Sequence, residues 1–343
     1  MRSGWSALMS MALLFGAASF AASGCSQAPS SAAVAAVLDT TGKVHVVDLE
    51  TGRLIRSTAL RSPASDIAAD EVRGRFVTAQ CGRGGMQSDD RLGIIGDRGL
   101  LRPRYVKLPA SSPLGVEVVA PGRVVVDHGV MVEDGVFACV VDTDSEEVVR
   151  TGEIPENLNP LVFAAGRIWS SGSNLDGSRR SLRTVDSETL SSTEVLAPGV
   201  FPIIECAGDD DVFGWLSPEY GKGSLARLDA RTASVEASRS VDLVGGCGDM
   251  VLVGDTLVFA DWAGQDLAQT GTALIFADPA TLEETGRIDV PGGACDVQPW
   301  GDRVVVASFG DSRLLVIDPV TAKVDRTIDL PKLDLPVRLA VME

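Results

Sequence analysis

A short pattern recurs along most of this chain: a run of mostly apolar residues, an aspartate, a few turn-forming residues, and a second run rich in β-branched residues. The copy at residues 314–324 is the plainest. The anchor aspartates are Asp48, Asp97, Asp142, Asp186, Asp229, Asp278 and Asp318. They lie 40 to 49 residues apart, which is the length of one four-stranded propeller blade. The pattern therefore predicts an all-β fold, a seven-bladed β-propeller of four-stranded blades.

A second hydrophobic run precedes each anchor, and turn residues usually open it, as at residues 122–126 and 302–307. Such turn residues before β-branched runs are hairpin signals. We name the four strands of a blade A to D, so this run is strand B and the run that ends at the aspartate is strand C. A short aspartate side chain can accept backbone N–H groups two residues further on. We therefore interpret the repeated aspartates as structural residues of the C–D turns rather than as an acidic site.

The two ends of the repeat complete each other. The first B-like strand, residues 33–38, has no strand A before it, whereas a spare strand at residues 336–341 follows the last blade. We expect the C-terminal strand to supply strand A of the first blade, which closes the ring and removes an open sheet edge. Residues 33–343 are therefore predicted to form one single domain.

The last blade resembles a known family. Residues 298–319 run through a turn, a strand, a hairpin, a second strand and the dipeptide Asp318-Pro319. In this order the segment is similar to the YVTN-type propellers, which are grouped with the quinoprotein-like propellers, although residues 307–310 stand where that family carries an asparagine. The resemblance implies a secreted seven-bladed propeller. It implies no single activity, because a fold does not settle a function.

The first 24 residues are typical of an export signal. Arg2 is the only charge there, and residues 7–18 are small and apolar. Residues 22–25 resemble the bacterial lipobox, in which the cysteine, here Cys25, becomes lipid-modified and N-terminal. Residues 25–32 then serve as a flexible tether. We expect an exported protein held by lipid on the outer face of the bacterial cell membrane; the alternative is an ordinary cleaved signal that leaves Cys25 incidental.

Charge and histidine content exclude several classes of function. The chain has 30 Lys and Arg against 47 Asp and Glu, a net charge of −17. Binding to nucleic acid is not expected, because phosphate neutralisation needs clustered basic residues. Only two histidines occur, His45 and His128, which disfavours histidine-based metal sites and catalysis. We expect no catalytic residues, no cofactor and no metal.

The ends of the B strands are the candidate binding surface, because propeller ligands usually meet the funnel that the B–C loops build. Polar residues at such a rim are often only hydrated loop positions, and this alternative stays open. Asp127 and His128 are the most reactive-looking pair in the chain. They are adjacent in a strand and so point to opposite faces, which argues against a shared substrate. The candidate binding residues at the rim are Asp39, Gln80, Arg83, His128, Asp261, Trp262, Gln265 and Ser308.

The chain has no CxxC pair, which argues against a structural zinc site. An exported protein lies in an oxidising environment, where disulfides form. Cys247 and Cys295 open the A strands of successive blades, and we expect a disulfide between them. Cys206 lies on another inner strand and competes for the same role. The alternative is that these cysteines are small buried core residues.

These observations favour a membrane-tethered extracytoplasmic binding or scaffold module, with a protein or a small ligand at its funnel face. We expect a monomer whose partner is an unidentified envelope protein or small ligand. The alternatives are a propeller enzyme, either a lactonase-like or lyase-like hydrolase or a quinone-dependent oxidoreductase, and a carrier protein that serves a transporter.

Overall fold

Seven four-stranded antiparallel sheets make up the described part of the chain. The computed structural model describes residues 33–83, 87–96, 102–128, 136–154, 157–173, 180–196, 201–208, 210–219, 222–244, 247–261, 272–330, 333 and 336–343. The first strand of every sheet contacts the first strand of the next, so the seven innermost strands close a ring. This arrangement confirms the predicted seven-bladed propeller.

The strands follow the predicted repeat in chain order, four to a blade. Their bounds are β1 (Val34–Asp39), β2 (Lys43–Asp48), β3 (Arg53–Ala59), β4 (Asp66–Asp70), β5 (Arg75–Arg83), β6 (Gln87–Gly96), β7 (Arg104–Lys107), β8 (Pro113–Ala120), β9 (Arg123–His128), β10 (Val136–Asp142), β11 (Glu147–Ile154), β12 (Asn157–Ala164), β13 (Arg167–Ser173), β14 (Arg180–Asp186), β15 (Ser192–Leu196), β16 (Phe201–Ala207), β17 (Asp211–Glu219), β18 (Lys222–Asp229), β19 (Val235–Asp242), β20 (Cys247–Val253), β21 (Thr256–Asp261), β22 (Ala273–Ala277), β23 (Glu284–Asp289), β24 (Ala294–Trp300), β25 (Arg303–Ser308), β26 (Arg313–Asp318), β27 (Lys323–Asp329) and β28 (Pro336–Met342). One 3-10 turn, Glu71–Arg73, joins β4 to β5.

The ring closes through the C-terminal strand, as the sequence predicts. The first blade has the strand order β28-β1-β2-β3, and Val34 lies opposite Met342 in an antiparallel register. A side chain of the seventh blade strengthens this closure. The Arg326 guanidinium donates hydrogen bonds to the backbone carbonyls of Leu49 and Glu50 and lies 5.7 Å from the centre of the Trp300 ring.

The hydrophobic core lies between the blades. The largest cluster joins apolar side chains of the sixth, seventh and first blades, with Phe276, Val305 and Val37 fully buried in it. Trp169 and Trp215 are buried in two other clusters, where they pack between blades. The β-branched residues valine and isoleucine are common in these clusters because each sheet packs both of its faces against neighbouring sheets.

The repeated aspartates cap the C–D turns. Oδ1 of Asp318 accepts the N–H groups of Val320 and Thr321, and Oδ1 of Asp229 accepts those of Arg231 and Thr232. The same contact, with N–H groups two or three residues ahead, recurs at Asp48, Asp142, Asp186 and Asp278. The predicted structural role is therefore confirmed at six anchors, while Asp97 lies outside the described residues.

Residues from Ala32 to Glu343 form one compact unit. Cys25 and the predicted signal segment and tether lie outside the described residues, so these assignments stay predictions. Within the described ranges, no helix is long and apolar enough to cross a membrane.

Candidate functional site

A channel runs along the ring axis between the innermost strands. Its cavity measures about 830 Å³, and side chains of β4, β8, β12, β20, β24 and β28 line it. Arg338 is the single cation among the described lining residues. Seven carboxylates are among the described lining residues, and we call four of them, Asp66, Glu117, Asp249 and Asp296, the collar. The charged residues of the channel wall are therefore mainly acidic, and the cavity has the volume of small-molecule sites, about 300–1,000 Å³.

Irregular pairing of the innermost strands helps to position the collar. The register between strands A and B shifts in β8, β12, β16, β20, β24 and β28. The shift in β20 spans Asp249, and the shift in β24 immediately precedes Asp296. A β-bulge bends a strand and redirects its side chains, which allows a carboxylate within a largely apolar strand to face the channel.

On one side of the channel the collar joins the second, third and fourth blades. The N–H group of Val116 donates to Oδ2 of Asp66 at 2.9 Å, and that of Phe163 donates to Oε1 of Glu117 at 3.1 Å. Each donor belongs to the innermost strand of the next blade along the chain. These two carboxylates therefore hold neighbouring blades in register.

The same contact recurs on the other side of the channel. The N–H group of Val297 donates to Oδ2 of Asp249 at 2.6 Å, and that of Leu339 donates to Oδ2 of Asp296 at 2.8 Å. Arg338, on the same strand as Leu339, has its Nε 3.8 Å from Oδ1 of Asp66. Hydrogen bonds and one ion pair thus link six blades, from the sixth through the seventh and first to the fourth.

The electrostatics of the collar oppose a full set of negative charges. Burial raises the pKa of Asp66, although the positive charge of Arg338 works against this rise. Burial also raises the pKa of Glu117 to about 8, with the Phe163 N–H group opposing the rise and the charge of Asp66 adding to it. Glu117 therefore holds a proton at neutral pH unless a positive charge enters the channel.

Asp127 lies directly behind this part of the collar. Its Oδ1 accepts the N–H group of Gly115, while Val116 donates to Asp66 in the opposite direction. A Cβ atom at position 115 would lie 2.6 Å from Oδ1 of Asp127, so the close approach requires glycine. Asp127 is fully buried, its Oδ2 has no hydrogen-bond partner, and burial raises its pKa to about 8.

The described rim candidates at the ends of strands B are buried, and they hold the D–A loops. Ser308 Oγ donates to the carbonyl of Pro291, and Oδ2 of Asp261 accepts the N–H group of Val244. Oε1 of Gln80 accepts from Ser62 Oγ at 3.2 Å. These contacts give the B-strand ends a structural role, which the sequence did not predict. The role of these residues in ligand binding stays a prediction.

His128 and Asp127 face opposite sides of their blade, as predicted. The His128 ring lies 3.2 Å from the carbonyl oxygen of Ser111 and 3.6 Å from the Cys139 sulfur, whereas Asp127 contacts Gly115. Burial lowers the pKa of His128 and raises that of Cys139 to about 12, so both groups are neutral near pH 7.

Asp39 is the rim candidate with the most contacts. Its Oδ1 accepts the N–H groups of Thr41 and Lys43, and its Oδ2 lies 2.9 Å from Nε2 of His45. Burial by itself would raise its pKa, but these hydrogen bonds outweigh burial and hold the pKa at about 2. Of the other candidates, Trp262 and Gln265 lie outside the described residues. Arg83 is the last residue of β5, and its side chain lies outside the described set.

Cys247 and Cys295 are both thiols in this structure, so the expected disulfide is not formed here and stays a prediction. The Cys295 thiol donates to the carbonyl of Ala307 at 3.2 Å, and both cysteines are buried. The side chain of Cys206 lies outside the described set. Within the described ranges, no three His, Cys, Asp or Glu side chains are arranged to hold a metal ion.

The collar itself was missed at the sequence level, although a signal exists. Each of these carboxylates lies in a mostly apolar strand A, and Glu205 is placed likewise in the sequence of β16. Aligning strands A as well as strands B exposes this second period. The bonds to the next blade leave no trace in the sequence.

Comparisons with known proteins show the fold alone. No protein-family model and no curated protein matches this chain. Solved structures do match. A functionally unknown protein from Desulfotomaculum acetoxidans has a TM-score of 0.65 at 13% identity, covering 90% of this chain and 99% of that one. A putative 6-phosphogluconolactonase from Bacteroides fragilis has a TM-score of 0.64 at 14% identity, covering 92% and 99%. Apo AztD from Citrobacter koseri has a TM-score of 0.56 at 14% identity, covering 90% and 98%.

Proposed function

We propose that this chain is an exported binding module, tethered by lipid at Cys25, whose central channel holds a small ligand with a cationic group. The observation that carries the proposal is the charge of the channel lining, where seven carboxylates, the four collar residues among them, and one cation line a cavity of about 830 Å³. Low-dielectric walls strengthen the attraction between such a wall and a positive charge. An organic ammonium or guanidinium compound fits this chemistry.

Binding of this kind is coupled to protons. Because the pKa of Glu117 is about 8, an entering cation must displace a proton at neutral pH. Affinity therefore rises with pH below about pH 8, by up to about tenfold per pH unit for each proton released. Above that pH the affinity becomes constant.

Calorimetric titration tests the channel. We expect spermidine or choline to bind the full chain at one site and citrate not to bind. Above about pH 8, where Glu117 is ionised, the Glu117→Gln variant should weaken cation binding about tenfold, since it removes a charge worth roughly 1.4 kcal/mol. Glu50→Gln, on the exposed C–D turn of the first blade, is the matched control and should leave binding unchanged. Cations that bind no better than citrate would contradict the proposal.

The intact mass of the protein purified from its own envelope tests the tether. A diacyl or triacyl increment on Cys25 supports lipid attachment, and stable anchoring needs more than one acyl chain. Cleavage elsewhere, with an unmodified Cys25, would mean a freely secreted propeller. That outcome leaves the channel test unaffected.

A further inference from the structure

The first blade contains three side chains in a chain of contacts away from the channel. His45 lies in β2, with its Nε2 2.9 Å from Oδ2 of Asp39 and its Nδ1 2.8 Å from Ser57 Oγ. Asp39 and His45 are 2% exposed, whereas Ser57 lies on β3, the outermost strand of the blade, and is exposed. The contacts thus run from a buried acid through a buried base to a serine that is exposed to solvent.

The proton positions follow from the partners. Asp39 is ionised because its pKa is about 2, so it only accepts hydrogen bonds and Nε2 of His45 carries the proton. In the neutral ring Nδ1 then has a lone pair, which accepts the hydroxyl proton of Ser57. Nucleophile, base and orienting acid in hydrogen-bond reach are the signature of an activated serine.

We propose that Ser57 is a nucleophile that His45 activates toward small carboxylic esters. Ser57 Oγ attacks the acyl carbon as its proton moves to Nδ1 of His45, and Asp39 stabilises the imidazolium. The bond to the leaving alcohol breaks, and that oxygen takes the proton from Nδ1. Water then releases the acyl group by the same route in reverse, so the serine and the base are regenerated.

A positive charge lies beside the serine in the strand register. Lys43 precedes His45 by two residues and therefore shares its face of β2, and it is paired with Ala59, two residues beyond Ser57. Diagonal neighbours of this kind are about 7–8 Å apart, within reach of a long side chain. The ammonium group of Lys43 is the donor for the oxyanion that the attack creates.

The fifth blade offers a matched control within the same chain. Ser240 in β19 lies opposite Ser224, and Asp242 lies opposite Lys222, so Ser240 has the register position of Ser57. It is exposed like Ser57 but faces a serine instead of a histidine. A fluorophosphonate reagent with peptide mass spectrometry should label Ser57 at least about 100-fold faster than Ser240.

Variants separate the roles. We expect Ser57→Ala to abolish hydrolysis of p-nitrophenyl acetate and Ser240→Ala to leave it unchanged. His45→Gln should slow labelling of Ser57 at least about 100-fold. Asp39 is a positioning residue, so Asp39→Asn should lower kcat at least about tenfold with an unchanged KM. Equal labelling of Ser57 and Ser240 in the unmodified chain, or full hydrolysis by Ser57→Ala, would overturn the proposal whatever the folding of the buried variants.

Discussion

Two sets of carboxylates in this propeller make the same bond in opposite surroundings. The turn aspartates accept N–H groups two or three residues away at the solvent edge, as Asp318 does. The collar carboxylates accept N–H groups 43 to 50 residues away, across blade boundaries. Backbone hydrogen bonds lower the pKa of the turn aspartates, whereas burial raises that of Asp66 and Glu117. At Asp66 and Glu117 burial outweighs the single hydrogen bond, whereas the hydrogen bonds prevail at the exposed turn aspartates.

The largest expected effect is the pH dependence of stability that the fully buried Asp127 causes. It tests whether burial separates the two sets of carboxylates. The pKa of Asp127 rises from its ordinary 3.8 to about 8, so the folded chain keeps a proton that the unfolded chain loses. Stability should fall as pH rises from about 4 to about 8, by up to about 1.4 kcal/mol per pH unit. Asp127→Asn should remove its share of this dependence in urea unfolding, while the similar share of Glu117 remains.

The control for this measurement is Asp142→Asn on a C–D turn. Hydrogen bonds from Ser145 lower the pKa of Asp142, so its contribution is present above about pH 4 and disappears only in acid. This variant should retain the alkaline loss of stability. A dependence equally steep in Asp127→Asn and the unmodified chain would contradict our assignment of the buried proton.

Removing one collar carboxylate is expected to cost more than removing one turn carboxylate. Asp296→Ala leaves the N–H group of Leu339 without its acceptor in a buried strand, which costs about 2–3 kcal/mol. Asp296→Asn retains an oxygen acceptor and should recover more than half of that loss. A loss below about 1 kcal/mol for Asp296→Ala, measured as the free energy of unfolding, would show that the collar bonds are dispensable.

Removing a turn aspartate should lower the free energy of unfolding by less than removing a collar carboxylate. Asp318→Ala should cost about 1 kcal/mol, because water can hydrate the N–H groups of Val320 and Thr321 once the side chain is gone. Chemical denaturation measures the difference. If Asp318→Ala costs as much as Asp296→Ala, burial is not what distinguishes the two sets.

The smallest effect sharpens the description of the turns themselves. Ala233 has a φ of 62°, and its N–H group donates to the carbonyl of Asp229. Ala233→Gly should stabilise the protein by about 0.5 kcal/mol, since glycine accepts positive φ without strain. At the same position of the first blade, Gly52 has a φ of 69°, and Gly52→Ala should cost about 1 kcal/mol. Changes of the same sign in both would contradict the turn geometry.

Much of the fold was predictable because its signals are local or periodic. Strand alternation, hairpin residues and the spacing of the aspartates from Asp48 to Asp318 are enough to predict seven blades and the capping of the C–D turns. The unpaired strand at each end was enough for ring closure through β28. The candidate site was predictable only in part: Asp39 and His128 were singled out, but as rim residues rather than as buried anchors of the B-strand ends.

The sequence by itself determined the number of blades, the C–D turns and the closing strand, because these depend on residues a few positions apart or on a simple period. Only the tertiary structure decided which carboxylates meet the channel, that Leu339 donates to Asp296, and that His45 joins Asp39 to Ser57. Those contacts depend on bulges, strand register and the order of blades around the ring. The same ring sets both the burial of each carboxylate and the hydrogen bonds it accepts, and the balance of the two sets whether it remains charged.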